Sequence, residues 1–460
     1  MVESPEFEFD AVRRIHLVGA GGAGMNALAK LLAGRGRQVS GSDLRASETL
    51  TRLAELGIET WAGHRPDALD GVDLVVASSA VPDGDAELVA ARVKDVPVWR
   101  RPSLLEAITR EIPTIGVTGT HGKTSSTSMM VLALRAAGKD PSFVVGGEIV
   151  ELRTNAHAGE DDLLVLEIDE AFGTFEYVHC TGMVLTNVEP EHLDHFKTAA
   201  AMEEAFTRVV RAVDGPVIAC LDDPGAGRIA DRTGAITYGT SERSQWRMSE
   251  PVTGPSSVRF TLSGPGRAPV EIEVGKPGVH MARNAAGVIA LLATLGEDMA
   301  ELASGLATFQ GVSRRFEHKG EIDGVTIIDD YAHHPTEVAA TLRAARARGA
   351  RRLVAVFQPH LYSRTERLHR EFGASLAQAD LVIVADVYGA REDPIPGVSG
   401  AMVADAAIRS GAPRVEYVPH RTDLAGVVAG LVRSGDDVVT MGAGDITLLA
   451  GELAGLLPAS

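Results

Sequence analysis

The run Gly116-Val117-Thr118-Gly119-Thr120-His121-Gly122-Lys123-Thr124-Ser125 constrains this chain more than any other stretch. It follows an apolar segment, Ile112 to Val117, and opens an apolar helical run, Ser126 to Leu134. A strand, a glycine-rich turn and a helix, in that order, form a cradle for phosphate. Glycine lets backbone N–H groups approach phosphate oxygens closely, and the helix N-terminus adds partial positive charge. In such a turn a lysine reaches the β- and γ-phosphates and the next hydroxyl holds Mg²⁺. Lys123 and Thr124 stand in those places. The simplest form of the pattern has glycine where this chain has Val117; its glycines stand at 116 and 119 instead. A lysine and a metal-holding hydroxyl serve a transferable γ-phosphate, so the expected nucleotide is ATP.

The rest of the chain alternates between strand-like and helix-like segments, which predicts α/β domains with mostly parallel sheets. At 460 residues it is too long for one typical domain. Three are expected: a Rossmann-like domain over 1–110, a central P-loop ATPase-type α/β domain over 111–319, and a Rossmann-like domain over 320–460. Short alternating stretches among Gly and Pro between Thr237 and Val274 predict a small antiparallel section in the central domain. The net charge of −18 argues against a nucleic-acid partner or an anionic membrane surface. No apolar run reaches membrane-span length, and the acidic start, Met1 to Asp10, is unlike a signal peptide. A cytoplasmic protein without membrane insertion is expected, with Cys180 and Cys220 as buried thiols.

A second glycine turn, Gly19-Ala20-Gly21-Gly22-Ala23-Gly24, fits the dinucleotide-binding fingerprint, and Asp43 follows at the end of the next strand. Alone it suggests an NAD-dependent oxidoreductase. The motif itself reports only a diphosphate resting on a helix N-terminus, and a UDP-sugar carries one too. Two different phosphate turns in one chain suggest two phosphorylated substrates. Downstream of the Gly116 to Ser125 turn, two apolar strands end in metal-type residues. Glu167-Ile168-Asp169-Glu170 closes one; Thr186-Asn187-Val188-Glu189-Pro190-Glu191-His192 closes the other. Glu167 and His192 are therefore candidate Mg²⁺ ligands beside Thr124.

Taken together, these features resemble the Mur ligase family over essentially the whole chain. The loop from Gly19 to Met25, with Val39-Ser40-Gly41-Ser42-Asp43 and Ser78-Ser79-Ala80-Val81, resembles that family's UDP-sugar domain. Gly116 to Ser125 resembles its ATP loop. Gly278-Val279-His280-Met281-Ala282-Arg283-Asn284 matches the segment that meets adenine, and Gly311-Val312-Ser313-Arg314-Arg315-Phe316 the hinge into the third domain. Asp329-Asp330-Tyr331-Ala332-His333-His334-Pro335-Thr336-Glu337 and Phe357-Gln358-Pro359-His360-Leu361-Tyr362-Ser363-Arg364-Thr365 are the most specific matches, and they point to the alanine-adding branch.

The resemblance implies an ATP- and Mg²⁺-dependent amide ligase acting on UDP-N-acetylmuramate and L-alanine, as a monomer or weak homodimer. It implies an ATP site of Gly119, Thr120, His121, Gly122, Lys123, Thr124, Ser125, His280, Asn284, Arg315 and Asp330. Thr124, Glu167 and His192 are the implied metal ligands. The sugar-nucleotide diphosphate is assigned to Gly21, Gly22, Ala23, Gly24, Asp43, Ser78 and Ser79. Tyr331, His333, His360 and Arg364 are implied substrate contacts, Arg364 for the amino-acid carboxylate or for a phosphate, with His333 or His334 as proton acceptor. Lys123, Glu167, His192 and Arg315 handle the charge of phosphoryl transfer. One departure stands out: the family's Ser-Asp pair after the metal glutamate is Ala171-Phe172 here. A paralogue using another amino acid or another nucleotide-linked acid is the alternative reading that this motivates.

Overall fold

The computed structural model describes residues 9–191, 193–390 and 392–456. It divides into two compact units. One holds the chain through Pro251 with Arg259–Val274 and His280–Phe309; the other holds Val252–Val258, Gly275–Val279 and the chain from Gln310 onward. Three α/β domains make up these units, two of them in the first.

The first domain is a parallel sheet in the spatial order Glu59–Ala62, Gln38–Asp43, Arg14–Val18, Leu74–Ala77, Val98–Arg100. The strand order reverses between Arg14–Val18 and Leu74–Ala77. That reversal opens a crevice at their carboxyl ends, where open α/β sheets bind ligands. The glycine turn follows one of these strands and Ser78-Ser79 the other.

In the second domain the strand Thr114–Thr118 lies between Asp161–Glu167 and Gly182–Leu185, parallel to both. The loops that leave these three strands therefore converge. Helix Lys123–Ala136 leads out of the phosphate turn, and its residues from Thr124 to Leu134 are all buried. A helix buried on every side needs no polar face, which is why its apolar run was easy to read. The expected antiparallel section is present: Trp246–Met248 pairs antiparallel with Val258–Ser263, which also pairs with Val270–Val274. Sequence patterning missed the strands Pro141–Ile149 and Thr154–His157. Polar Ser142, Glu148, Asn155 and His157 interrupt any apolar run there.

The third domain has the order Glu317–Ile322, Val325–Asp330, Asp436–Met441, Arg352–Phe357, Leu381–Ala385, Val415–Val418. Every side chain of Leu381–Ala385 is buried, as expected for a strand covered by helices on both faces. The edge strand Glu317–Ile322 crosses the expected boundary at 319/320. It pairs antiparallel with Val325–Asp330, so the compact unit begins at Gln310 instead. Helix Tyr362–Leu376 begins directly after Leu361, which adopts φ 70° and turns the chain sharply at the N-cap.

Candidate active site

In the first unit, the phosphate turn is held by the loop that follows Gly182–Leu185. The Asn187 side chain accepts from the His121 N–H at 2.8 Å and donates to the His121 carbonyl at 2.9 Å. The Asn187 carbonyl accepts from the Thr120 N–H at 3.0 Å. Thr120 Oγ1 accepts from the Glu189 N–H at 2.9 Å and donates to the Glu189 carbonyl at 3.2 Å. Gly119 and Gly122 take φ values of 132° and 81°, which side chains rarely adopt. A Cβ at Gly122 would lie 2.8 Å from Asn284 Oδ1, so the helix Val279–Thr294 packs its Asn284 directly on the turn. His280 is exposed in the first turn of that helix.

Lys123 is folded back over the turn. Its Nζ donates to the carbonyls of Gly119 at 2.7 Å and Thr120 at 3.1 Å, and to Glu170 Oε2 at 2.7 Å. Asp169 lies 3.8 Å away. Burial works against the ammonium, but the charges of Glu170 and Asp169 outweigh it, so Lys123 keeps its proton more firmly than an ordinary lysine. Burial raises the Glu170 carboxyl to about 8 against the opposing charge of Lys123. Beside this pair, Thr124 Oγ1 donates to Glu167 Oε1 at 2.9 Å, and Glu167 Oε2 accepts from the Gly146 N–H at 2.6 Å. Ser125 follows on the same helix, buried. His192 lies outside the described residues.

The other glycine turn of this unit is closed differently. Gly19 and Ala20 donate their N–H groups to the Ser42 carbonyl, each at 2.8 Å. Gly21 donates its N–H to Asp43 Oδ2 at 2.9 Å. Gly22 caps helix Ala23–Gly34, and a Cβ at Gly24 would lie 2.7 Å from the Arg101 guanidinium carbon. Ser78 stacks against Gly19, where a Cβ would come within 3.0 Å of it. Ser79 is the next residue along, exposed at the crevice. Arg100 ties down this loop through the carbonyls of Ser78 at 3.1 Å and Val81 at 2.7 Å. Arg101, at the start of the next helix, brings a guanidinium to a turn that has no charged residue of its own; its Nε is buried without a hydrogen bond. The segment Val98 to Arg101 also fits the family's UDP-sugar domain, but nothing in its spacing shows that Arg101 reaches the turn.

In the second unit, the loops after Val325–Asp330 and Arg352–Phe357 gather the remaining residues. The guanidinium groups of Arg314 and Arg315 lie 4.9 and 5.1 Å from the centre of the Tyr331 ring. Arg315 also lies 3.5 Å from Glu337, which accepts from the N–H groups of His333 at 3.0 Å and His334 at 3.2 Å. His333 Nδ1 is 3.0 Å from the Tyr331 carbonyl, which can only accept. Nδ1 therefore carries the hydrogen, and in the neutral ring Nε2 carries the lone pair. His360 packs edge-on to His333 with ring centres 6.3 Å apart, and its Nδ1 is 3.5 Å from buried Arg364. His334 is buried as the N-cap of helix Pro335–Ala347. Asp330, expected at the ATP site, is set by backbone contacts. It is buried, and its two oxygens accept from the N–H groups of Ala332 and Phe316, each at 2.7 Å. Its work in this unit is to pin Phe316 to the end of the strand. Burial raises its pKa to about 6, with Arg315 and these N–H groups opposing.

Comparisons with known proteins cover the same three domains. Family models described as the Mur ligase family catalytic domain, the Mur ligase middle domain, and the Mur ligase glutamate ligase domain match residues 14–112, 117–292 and 314–444. A UDP-N-acetylmuramate–L-alanine ligase of Saccharopolyspora erythraea is 46% identical over 458 residues, covering 96% of this chain and 93% of that protein. One from a Mycobacterium species is 45% identical, covering 98% and 96%. The crystal structure of UDP-N-acetylmuramate-alanine ligase from Thermotoga maritima superposes with a TM-score of 0.82 at 29% identity, over 96% of this chain and 98% of that one. Among the described residues no helix is long and apolar enough to cross a membrane. This chain belongs to the Mur ligase family.

Proposed function

We propose that this chain is an ATP-dependent ligase that joins L-alanine to the carboxylate of UDP-N-acetylmuramate, a step in peptidoglycan precursor synthesis. The observation that carries the reading is the full-length likeness, at 45–46% identity, to proteins of that name. The two phosphate turns support it, since one substrate brings a diphosphate and the other a triphosphate.

In this reading the first domain, about residues 1–110, takes the UDP-sugar. Gly21, Gly22, Ala23 and Gly24 present the helix N-terminus to its diphosphate, beside Ser78 and Ser79, and Arg101 adds the positive charge the turn lacks. Asp43 holds the turn in shape. The central domain takes ATP at Gly119 to Ser125, with Asn284 and His280 on the nucleoside side. The oxygens of Thr124 and Glu167, 2.9 Å apart, are hard donors suited to Mg²⁺, and His192 joins them by family expectation. When bound, Mg²⁺ neutralises phosphate charge and so eases the approach of an anionic nucleophile.

The muramate carboxylate attacks the γ-phosphorus and ADP leaves, giving an acyl phosphate. Lys123 and Arg315 stabilise the charge that accumulates. The alanine amine then attacks the acyl carbon and inorganic phosphate leaves. His333 Nε2 accepts the amine proton, with its ring fixed through Nδ1. Tyr331, His360 and Arg364 orient the amino acid, Arg364 by its fork of donors. His334, capping its helix, positions His333. A cytoplasmic place and a monomeric or weakly dimeric state belong to the same reading.

The test is an end-point reaction of purified protein with Mg²⁺, ATP and UDP-N-acetylmuramate, divided over a panel of single amino acids and read by mass spectrometry. A dominant L-alanine adduct is expected, with minor glycine and serine adducts because a small pocket discriminates poorly against one atom. Product with another amino acid alone would favour the paralogue suggested by Ala171-Phe172.

A further inference from the structure

The amino-acid loops of the second unit are backed by a residue that no motif marks. Tyr388 lies in the loop after Leu381–Ala385, and its ring stacks on His360 with centres 5.9 Å apart and planes 15° from parallel. The backbones of the two residues are bridged as well. Leu361 donates its N–H to the Tyr388 carbonyl at 3.0 Å, and Tyr388 donates its N–H to the Pro359 carbonyl at 2.8 Å. His360 is thus held between the edge of His333 and the face of Tyr388.

Tyr388 is itself backed by bare backbone. A Cβ at Gly444 would lie 2.6 Å from Tyr388 Cγ and 2.5 Å from Gln358 Oε1. Only glycine lets the ring sit this deep. The Gly444 carbonyl is held in turn by Arg314 of the hinge, whose Nη2 donates to Gly444 at 3.1 Å and to Gly442 at 2.8 Å. Tyr388 is 38% exposed as a residue, so it is no ordinary core residue. A partly exposed aromatic with a preformed seat and a stacked histidine has the character of a pocket wall.

We propose that Tyr388 is a positioning and specificity-determining residue: it fixes His360 and closes the amino-acid pocket on the side opposite His333, so that only a small side chain fits. The inference rests on the alanine-ligase reading of this unit. Removing the ring frees His360 and enlarges the pocket, whereas Phe keeps both the stack and the volume. Neither change touches the phosphate turn.

The experiment uses the full chain as wild type, Tyr388→Ala, Tyr388→Phe and Gly444→Ala. Steady-state constants are measured for L-alanine, L-2-aminobutyrate, ATP and UDP-N-acetylmuramate, with thermal midpoints alongside. Tyr388→Ala is expected to raise KM for L-alanine about tenfold and to cut the preference for L-alanine over the longer L-2-aminobutyrate by a similar factor. KM for ATP stays within about twofold, in line with uniform loss of one substrate's binding. Tyr388→Phe behaves as wild type, and Gly444→Ala shifts the same constants as Tyr388→Ala in the same direction. An unchanged alanine preference in a folded Tyr388→Ala protein would overturn the proposal. So would losses shared equally by all substrates, which mark a merely structural role. A wild type that makes no alanine adduct overturns the function itself, a result the unmutated control shows by itself.

Discussion

The two glycine turns of the first unit look alike in sequence and are built for different work. The turn at 19–24 is closed by backbone. Ser42 and Asp43 consume the N–H groups of Gly19, Ala20 and Gly21, and its positive charge arrives from Arg101 on another helix. The turn at 116–125 carries its own chemistry: Lys123 is clamped on Glu170, and Thr124 is bonded to Glu167. In the proposed reading, one is a shaped cradle for a diphosphate that does not react, and the other gathers cation, carboxylate and hydroxyl where a phosphoryl group is to move. In a dinucleotide fold the acid after the second strand meets the ribose, whereas Asp43 here spends Oδ2 on Gly21.

The sharpest way to break this contrast is Lys123→Ala. It is expected to lower ADP formation by about a thousandfold or more, since charge stabilisation dominates phosphoryl transfer. Binding of the UDP-sugar, followed by calorimetry, should be unchanged. Loss of both would mean that the two turns do not work separately. Thr124→Ala comes next, with an expected loss of about a hundredfold in kcat and a raised Mg²⁺ requirement, read from a metal titration of the rate. Gly21→Ala attacks the other turn. Its Cβ would lie 2.8 Å from Asp43 Oδ2, so the turn must distort. KM for the UDP-sugar should rise about tenfold with KM for ATP unmoved, a loss confined to ground-state binding of one substrate.

The smallest expected effect concerns the floor of the turn at 19–24. Ser42 donates to Glu87, which also accepts from Trp61 Nε1 at 3.1 Å and from the Arg65 N–H at 2.9 Å, with His16 Nε2 3.6 Å away. Burial works against this carboxylate, but its partners His16, Ser42 and Arg65 prevail and lower its pKa from 4.5 to about 2. A carboxyl depressed by folding stabilises the native state above its unfolded pKa, and that contribution fades as pH falls from 4.5 towards 2. The denaturant midpoint of wild type should therefore exceed that of Glu87→Gln at pH 7, and the gap should narrow on acidification. A gap that stays constant with pH would show that the carboxylate charge plays no part.

How much of this was legible in sequence follows from where each signal lies. The phosphate turn and its helix could be read because their determinants are contiguous: Gly119, Gly122, Lys123 and Thr124 span one turn, and the helix behind it carries the unbroken apolar run Met129 to Leu134. The third sheet could be read because strands such as Arg352–Phe357 are continuous apolar runs. Groups supplied from a distance could not. Asn187, which clasps His121, and Arg101, which faces Gly24, have no spacing rule relative to the turns they serve. The strands around Gly146 were hidden by their polar residues, although the Gly146 N–H meets Glu167. Asp330 shows the opposite case. It sits in a recognisable motif, but its carboxylate turns inward to the backbone of Phe316 and Ala332.

The central proposal is that the phosphate turn serves to phosphorylate the carboxylate of the substrate whose diphosphate rests at the other turn. Supplying UDP-N-acetylmuramate with its carboxylate enriched in heavy oxygen tests this in one reaction with ATP and L-alanine. The account predicts one heavy oxygen in the inorganic phosphate for each amide formed, because the acyl phosphate carries that oxygen to phosphorus. Amide formed with unlabelled phosphate would contradict it.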